Sequence, residues 1–357
     1  MKEIRTQDAI GHIISHDITR IIPGGEKGVA FKKGHVVRAE DIDTLLKIGK
    51  SHLYVWENDG TLLHENEAAQ VLADLVAGDE FRKGEVKEGK IEIFAGQDGI
   101  LKVDKEKLAA LNGFDEVMVA TRHDLSPVKK GDKLCGTRII PLAISWERMD
   151  EVARAVGVEP TKIADTEKAG AEAAGAVTVL SVLPYKKMKA AIVTTGSEVF
   201  EGLIEDGFSP IVKEKLAEFE TENIGHLTVP DNPEMTTNAI LRMIEKGADL
   251  VLVTGGMSVD PDDRTPLAIK KTGAEVISYG APVLPGAMFM VAYIGDTAIL
   301  GLPGCVMHSK RTILDIILPR VMAGIRVSKA DINALAPGGL CLSCETCIWP
   351  ACGYGAV

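Results

Sequence analysis

Apolar residues along this chain fall into two rhythms that meet near Met188. Before it, short alternating runs are separated by turns, the pattern of a β-rich unit with a few helices. Arg38 to Leu46 reads as a compact helix and Ser51 to Val55 as the strand it packs on, while Ala68, Ala69, Leu72, Leu75 and Val76 repeat at helical spacing between Glu65 and Ala77. Ile91 to Phe94 and Ile100 to Val103 predict strands flanking the turn Gly96-Gln97-Asp98-Gly99. Lys105 to Leu111 predicts a helix and Val117 to Ala120 another strand. Ser145 to Val156 predicts a helix with Ser145 as its cap, and the Ala/Glu/Lys-rich stretch from Pro160 to Gly175 a helical connector.

After Met188, strand and helix signals alternate regularly. Ala190 to Thr194 is a buried strand. Ser209-Pro210 predicts a helix to Phe219 with Ser209 as cap and Pro210 at the first helical position. Asn232-Pro233 precedes a helix to Lys246, Leu250 to Thr254 is a strand, and Thr265-Pro266 starts another helix. Glu275 to Ser278 and Ala298 to Leu302 are strands, and Val306 to Met322 is the last long helix. This alternation implies a mostly parallel sheet, whose ligands bind beyond the carboxyl ends of its strands. Three Gly-rich turns stand there: Thr195-Gly196-Ser197-Glu198, Gly255-Gly256-Met257-Ser258 and Leu302-Pro303-Gly304.

Bulk properties narrow the function classes. A chain of 357 residues exceeds one ordinary core, and 46% hydrophobic with 25% charged residues describes a globular protein. A formal charge of −11 argues against nucleic acid or an anionic membrane as partner. The N-terminus shows no signal-peptide core, so a cytoplasmic location is expected. The uncharged run from Val276 to Gly295 is interrupted by Gly280, Pro282, Pro285 and Gly286, which suits short buried strands rather than a membrane helix.

The second turn has the ingredients of a phosphate-and-metal site. Gly255 and Gly256 let backbone N–H groups approach an anion, Ser258 can donate a further hydrogen bond, and a helix N-terminus follows. Asp260, Asp262 and Asp263 can hold a divalent cation, with Glu198 from the neighbouring strand end completing the set. The plainer alternative makes Asp262 and Asp263 helix caps. His308, Lys310 and Arg311 are expected in the first turns of the last helix, as anion contacts or as a solvated face; Cys305 is an activated thiol or a small buried residue. Cys341, Cys344, Cys347 and Cys352 form a C-x2-C-x2-C-x4-C array after Pro337-Gly338-Gly339. Such density outside an oxidising compartment points to a metal, Zn²⁺ or an iron–sulfur (Fe-S) cluster.

In order and spacing, the turns resemble the molybdopterin-binding domain shared by molybdopterin molybdenumtransferases (the MoeA and gephyrin family) and molybdopterin adenylyltransferases. The family pattern Thr-Gly-Asp-Glu-Leu, Gly-Gly-x-Ser-Val-Gly with acids, Pro-Gly-Lys-Pro and Gly-Leu-Pro-Gly-Asn-Pro corresponds here to Thr195 to Val199, Gly255 to Asp263, Pro285 to Met288 and Gly301 to Val306. This chain departs at Ser197, Asp260, Ala287-Met288 and Cys305-Val306, so the third-motif lysine is missing. Arg264-Thr265-Pro266 is similar to the adenylyltransferase branch; Lys33 to Ile42, with the strand at Tyr54, resembles the N-terminal part of the molybdenumtransferases. The family's C-terminal β-domain is not expected, since little chain follows Arg326-Val327-Ser328.

The resemblance implies an α/β protein: a three-layer, mostly parallel-sheet molybdopterin-binding domain over 187–328, an N-terminal α+β, β-rich region over 1–145, a helical connector over 146–186 and a short Cys-rich tail over 329–357. It implies molybdopterin, or adenylated molybdopterin, as ligand, with molybdate and Mg²⁺. Glu198 and Asp263 become the catalytic acids, and Thr195, Gly196, Ser197, Gly255, Gly256, Ser258, Asp260, Pro303, Gly304 and His308 the ligand contacts. Molybdenum insertion in a homodimer is the first expectation. A non-catalytic carrier serving a molybdoenzyme and an adenylyltransferase are the alternatives.

Overall fold

The computed structural model describes residues 2–21, 27–55, 60–159, 178–258, 260–261 and 263–357. The connector expected from Pro160 to Gly175 and the carboxylate of Asp262 lie outside the described residues. The chain forms two compact units. One comprises Met1–Gly96, Val103–Arg122 and Lys130–Ser181; the other comprises Gln97–Lys102, His123–Lys129 and Val182–Val357.

In the first unit, Lys2–Arg5 pairs antiparallel with His52–Val55, and Leu45 from the helix Ile42–Lys47 is buried with Ile14, Ile18, Val37 and Leu53. A four-stranded sheet joins Arg82–Lys83, Lys90–Phe94, Lys133–Ile139 and Val117–Thr121 in that order. The helices over Glu65–Val76, Lys105–Leu111 and Trp146–Ala155 fall where the apolar spacing places them. Ser145 caps the third, its side chain accepting from the Arg148 N–H.

The strands flanking Gly96 to Gly99 do not pair. Lys90–Phe94 stays in the first unit, whereas Gly99–Val103 pairs antiparallel with Pro127–Val128 in a separate three-stranded sheet. The glycines serve close approach: a Cβ on Gly96 would sit 1.9 Å from the Glu80 carbonyl oxygen, and one on Gly99 2.2 Å from that of Leu183.

The second unit is built on a six-stranded sheet. Its strands are β1 (Lys189–Thr195), β2 (Glu222–Val229), β3 (Leu250–Thr254), β4 (Glu275–Tyr279), β5 (Met290–Ile294) and β6 (Thr297–Leu302), in the order β2-β1-β3-β6-β5-β4. The first four in that order are parallel; β5 and β4 complete the sheet antiparallel. The apolar run from Val276 to Gly295 therefore becomes most of two sheet strands and the turns joining them.

Side-chain alternation divides the core into two layers. Ala190, Ile192, Leu250, Leu252, Ala298 and Leu300 face one layer with helices α1 (Phe208–Ala217), α4 (Ile313–Met322) and α5 (Lys329–Ala334). Ala191, Val193, Val251, Val253 and Ile299 face the other, with α2 (Pro233–Glu245) and α3 (Thr265–Lys271). Helices on both faces of a mostly parallel sheet make the expected three-layer α/β domain.

Two local expectations change. Ser209 lies inside α1 rather than capping it: Asp206 Oδ1 accepts from the Phe208 and Ser209 N–H groups instead. The last long helix is also broken. Gly304–Met307 is a 3-10 turn, and α4 begins only at Ile313, where Thr312 and Asp315 form a reciprocal capping box. His308, Lys310 and Arg311 therefore lie in the connection before α4 rather than in its first turns.

Candidate functional site

The register of the parallel strands brings the three turns level. Thr194 pairs with Thr254, and Thr254 with Leu302, so β1, β3 and β6 end side by side. Their carboxyl ends form the edge where a ligand of this fold class would sit.

The first two turns are interlocked. Gly255 has φ +87°, and a Cβ there would lie 2.1 Å from the Thr195 carbonyl oxygen, so both conformation and space demand glycine. Thr265 supplies the latch: its hydroxyl donates to the Gly255 carbonyl at 2.8 Å, its N–H donates to the Gly256 carbonyl at 3.0 Å, and Thr195 Oγ1 lies 3.2 Å from Thr265 Oγ1. Trans peptides place N–H opposite C=O. With both carbonyls aimed at Thr265, the N–H groups of Gly256 and Met257 point away from α3.

The first turn is held from β2. Asp231 Oδ2 accepts from the Ser197 N–H at 2.8 Å, and the Asp231 N–H donates to Ser197 Oγ at 3.2 Å. Gly196, at φ +147°, opens the helical turn Ser197–Phe200 and leaves Glu198 exposed. In the second loop the Asp260 N–H donates to Asp263 Oδ2 at 3.1 Å and the Asp263 N–H to the Asp260 carbonyl at 2.9 Å. That reciprocal pair folds the acidic loop on itself, and Asp263 does not cap α3, whose N-cap is Arg264. Tyr279 closes the loop's inner side by donating to the Met257 and Ser258 carbonyls. Burial, with the Asp263 charge adding to it, pushes the Tyr279 pKa up.

Beneath the turns lies a polar network with no counterpart in the motif reading. Thr194 Oγ1 donates to Asp206 Oδ2 at 3.0 Å, stands 2.9 Å from His226 Nε2, and accepts from Thr254 Oγ1 at 3.2 Å; Ser209 Oγ donates to Asp206 Oδ2. Burial works to raise the Asp206 pKa, but its hydrogen bonds from Ser209, Phe208 and Thr194 outweigh it and the net shift is downward. Burial, reinforced by the Lys213 charge, lowers the pKa of His226 against the opposing pull of Asp206. The available signal was a threonine ending each of two otherwise apolar strands.

The third family motif, Pro285 to Met288, packs apart from these turns, while the fourth follows the end of β6. Gly286, at φ +132°, sits so close to Ile313 that a Cβ would approach its Cγ2 to 2.5 Å, and the Ile313 N–H donates to the Pro285 carbonyl at 3.2 Å. Pro303 and Gly304 begin the 3-10 turn after β6. Burial raises the Cys305 pKa, the opposite of what an activated thiol needs.

His308 lines a cavity of about 550 Å³ together with Lys310, Arg311 and all four tail cysteines, Cys341, Cys344, Cys347 and Cys352. All four are free thiols. Among the described residues, no three His, Cys, Asp or Glu side chains converge closely enough to hold one metal ion, at the acidic loop or in the tail. No helix among them is long and apolar enough to cross a membrane.

Comparison with known proteins places this site in a domain family. Residues 191–323 match the model of a probable molybdopterin binding domain, and residues 3–57 match that of a domain of unknown function. A CinA-like protein of Thermosipho melanesiensis is 38% identical over 90 residues, covering 25% of this chain and 22% of the relative. A molybdopterin molybdenumtransferase of Staphylococcus aureus is 29% identical over 144 residues, covering 36% of this chain and 34% of the relative. The chain thus spans about a fifth to a third of the length of these relatives. A solved structure of the molybdopterin biosynthesis enzyme MoaB from Thermus thermophilus is 25% identical, covers 38% of this chain and 97% of its own, and superposes with a TM-score of 0.31. Over residues 191–323 the chain is thus similar to a probable molybdopterin binding domain.

Proposed function

We propose that the chain binds molybdopterin, or adenylated molybdopterin, across the carboxyl ends of β1, β3 and β6, and inserts molybdenum from molybdate. The observation that carries this reading is the interlock of Gly255 with Thr195 and Thr265. It orients two successive N–H groups away from α3, and a terminal phosphate needs such preorganised donors. Ser258 and the backbone at Gly196 and Ser197 extend the same edge toward the pterin.

Asp260 and Asp263 suit Mg²⁺ by donor chemistry, since that ion commonly takes one or two carboxylates and leaves its other positions to phosphate oxygens and water. Bound there, Mg²⁺ would offset charge on a phosphoanhydride. The chain's own residues do the rest. The Asp260–Asp263 pair fixes the acidic loop, Asp231 fixes the first turn, and Glu198 stands free to orient a water or a hydroxyl group. A homodimer, a cytoplasmic setting and the 187–328 domain boundary belong to the same reading.

Incubation with adenylated molybdopterin, Mg²⁺ and molybdate should release AMP and yield molybdenum cofactor. Asp263→Asn should cut turnover by about 10²-fold or more while weakening ligand binding far less, because an acid acting on charge in the transition state raises rate rather than ground-state affinity. A second reading, a non-catalytic carrier, is favoured by Ala287 and Met288 standing where the family has Lys-Pro. Tight binding without AMP release would select it, ATP-dependent adenylation of free molybdopterin would select the transferase alternative, and no binding of any pterin form would reject all three.

A further inference from the structure

Tyr279 is the last residue of β4, and β4 runs in the same direction as β1, β3 and β6, because β5 is antiparallel to both of its neighbours. The carboxyl end of β4 therefore stands on the same edge of the sheet as the three turns. The loop after β3 reaches across to it. Met257 is buried, and a Cβ added to Gly301 would come within 2.8 Å of both its Sδ and its Cε, so glycine at this point of β6 lets the loop lie down on the sheet. Beyond that anchor the Tyr279 hydroxyl lies 3.2 Å from the Met257 carbonyl oxygen and 3.3 Å from that of Ser258, one hydrogen shared between two acceptors. Tyr279 is 38% exposed, so these bonds rather than burial of its ring tie it to the loop. The raised pKa keeps the hydroxyl in its donating form.

Four successive carbonyls are thereby committed, those of Gly255 and Gly256 to Thr265 and those of Met257 and Ser258 to Tyr279. The peptides between these residues are trans, so the N–H following each carbonyl points the opposite way. The N–H groups of Gly256 and Met257 turn away from α3, and that of Ser258 turns away from Tyr279. None of the three donates to an acceptor among the described residues, although Gly256 is half-buried and Met257 buried. Backbone donors left without acceptors are costly, and successive ones form a concavity suited to an anion. We infer that Tyr279 is a positioning residue for that anion: its hydroxyl fixes the Met257–Ser258 peptide so that the Ser258 N–H joins those of Gly256 and Met257 as a third donor to a terminal phosphate. The identity of the ligand rests on the pterin reading, whereas the cradle is made by this chain's own backbone. A phosphomonoester presents three acceptor oxygens. The Thr265 latch alone orients two donors, and Tyr279 supplies the third without touching the phosphate itself.

The test removes the hydroxyl and keeps the ring. The full chain and its Tyr279→Phe variant are titrated with inorganic phosphate and, separately, with molybdopterin, and backbone amide resonances are followed by NMR. In the wild type both ligands should move the Gly256, Met257 and Ser258 N–H signals downfield. In Tyr279→Phe the Ser258 shift should vanish while those of Gly256 and Met257 persist, and affinity for both ligands should fall about tenfold, the effect of one hydrogen bond to a charged acceptor. Equal affinity with an unchanged Ser258 shift would overturn the role of Tyr279. So would loss of all three shifts together, the mark of a loop loosened as a whole, or a wild type in which neither ligand moves any of the three. Phosphate binding with the selective Ser258 loss, but no binding of molybdopterin, would support the role of Tyr279 while rejecting the pterin reading.

Discussion

At the scale of single residues, two positions carry costs that only their surroundings explain. Gly255 combines φ +87° with a 2.1 Å approach of any added Cβ to the Thr195 carbonyl, so Gly255→Ala should destabilise the second unit by about 2–4 kcal/mol. Gly295, at φ +58° but with nothing within 4 Å, isolates the conformational part, and Gly295→Ala should cost about 1–2 kcal/mol. Urea unfolding of both variants measures the difference, and equal losses would show that close packing at Gly255 contributes nothing. Arg320 is the converse case. It is 1% exposed in the last turn of α4, and none of its guanidinium nitrogens has a hydrogen-bond partner among the described residues. Burial pulls its pKa down to about 10, against the weaker opposing effects of Asp331 and Asp124. A base with a depressed folded pKa penalises folding at every pH below that value and is relieved as pH rises toward its higher unfolded pKa. At pH 7 the penalty is fully present, so Arg320→Met should raise stability by about 1–3 kcal/mol in the same assay.

At the scale of elements, the start of α1 shows why a local signal can be right about the helix and wrong about its cap. Ser-Pro marks a helix start in isolation, but Asp206 takes the N–H groups, and Ser209 is drawn into the Thr194 and His226 network. That network makes the joint between α1, β1 and β2 sensitive to pH. His226, and in the first unit His16 and His64, have folded pKa values held below 6.5, with burial the largest cause in each. Above pH 6.5 they are neutral in both states. As pH falls below 6.5 the unfolded chain takes up protons first, and stability is lost down to the folded pKa values. Asp206 adds a lower window: its stabilisation is complete above 3.8 and fades as pH falls through its depressed folded pKa. Melting temperature should therefore decline from pH 7 to pH 5, and His226→Gln should flatten the second unit's share of that decline. An unchanged slope in the variant would remove His226 from this account.

At the scale of the whole molecule, the tail is part of the second unit's core. Tyr354 is buried in it, with Trp349, Cys352 and Val357 packed alongside. A chain ending at Leu335 should lose about 2–4 kcal/mol of that unit's stability even when no metal is supplied, because burying such side chains contributes at this level. Calorimetry of the metal-free proteins checks this, and identical transitions would mean that the tail packs only when loaded.

What the sequence determined by itself is whatever depends on short-range order. The continuous apolar runs of β1, β3 and β6, the helix start at Asn232-Pro233, the Ser145 cap and the glycines of the second turn were all legible, because hydrophobicity, capping and φ are properties of a few neighbouring residues. The motif order pointed to the domain family for the same reason. Tertiary structure alone decided which segments meet. Register levelled the three turns and let Thr265 latch Gly255 to Thr195; long-range pairing sent Gly99–Val103 to a different sheet from Lys90–Phe94; and packing placed Thr312 as a cap that breaks the last helix. The four tail cysteines were visible as a spacing, but where the tail runs was decided by its anchors at Leu284, Lys310 and Pro285, contacts 30 or more residues apart in the chain whose free energy is set by the folded core.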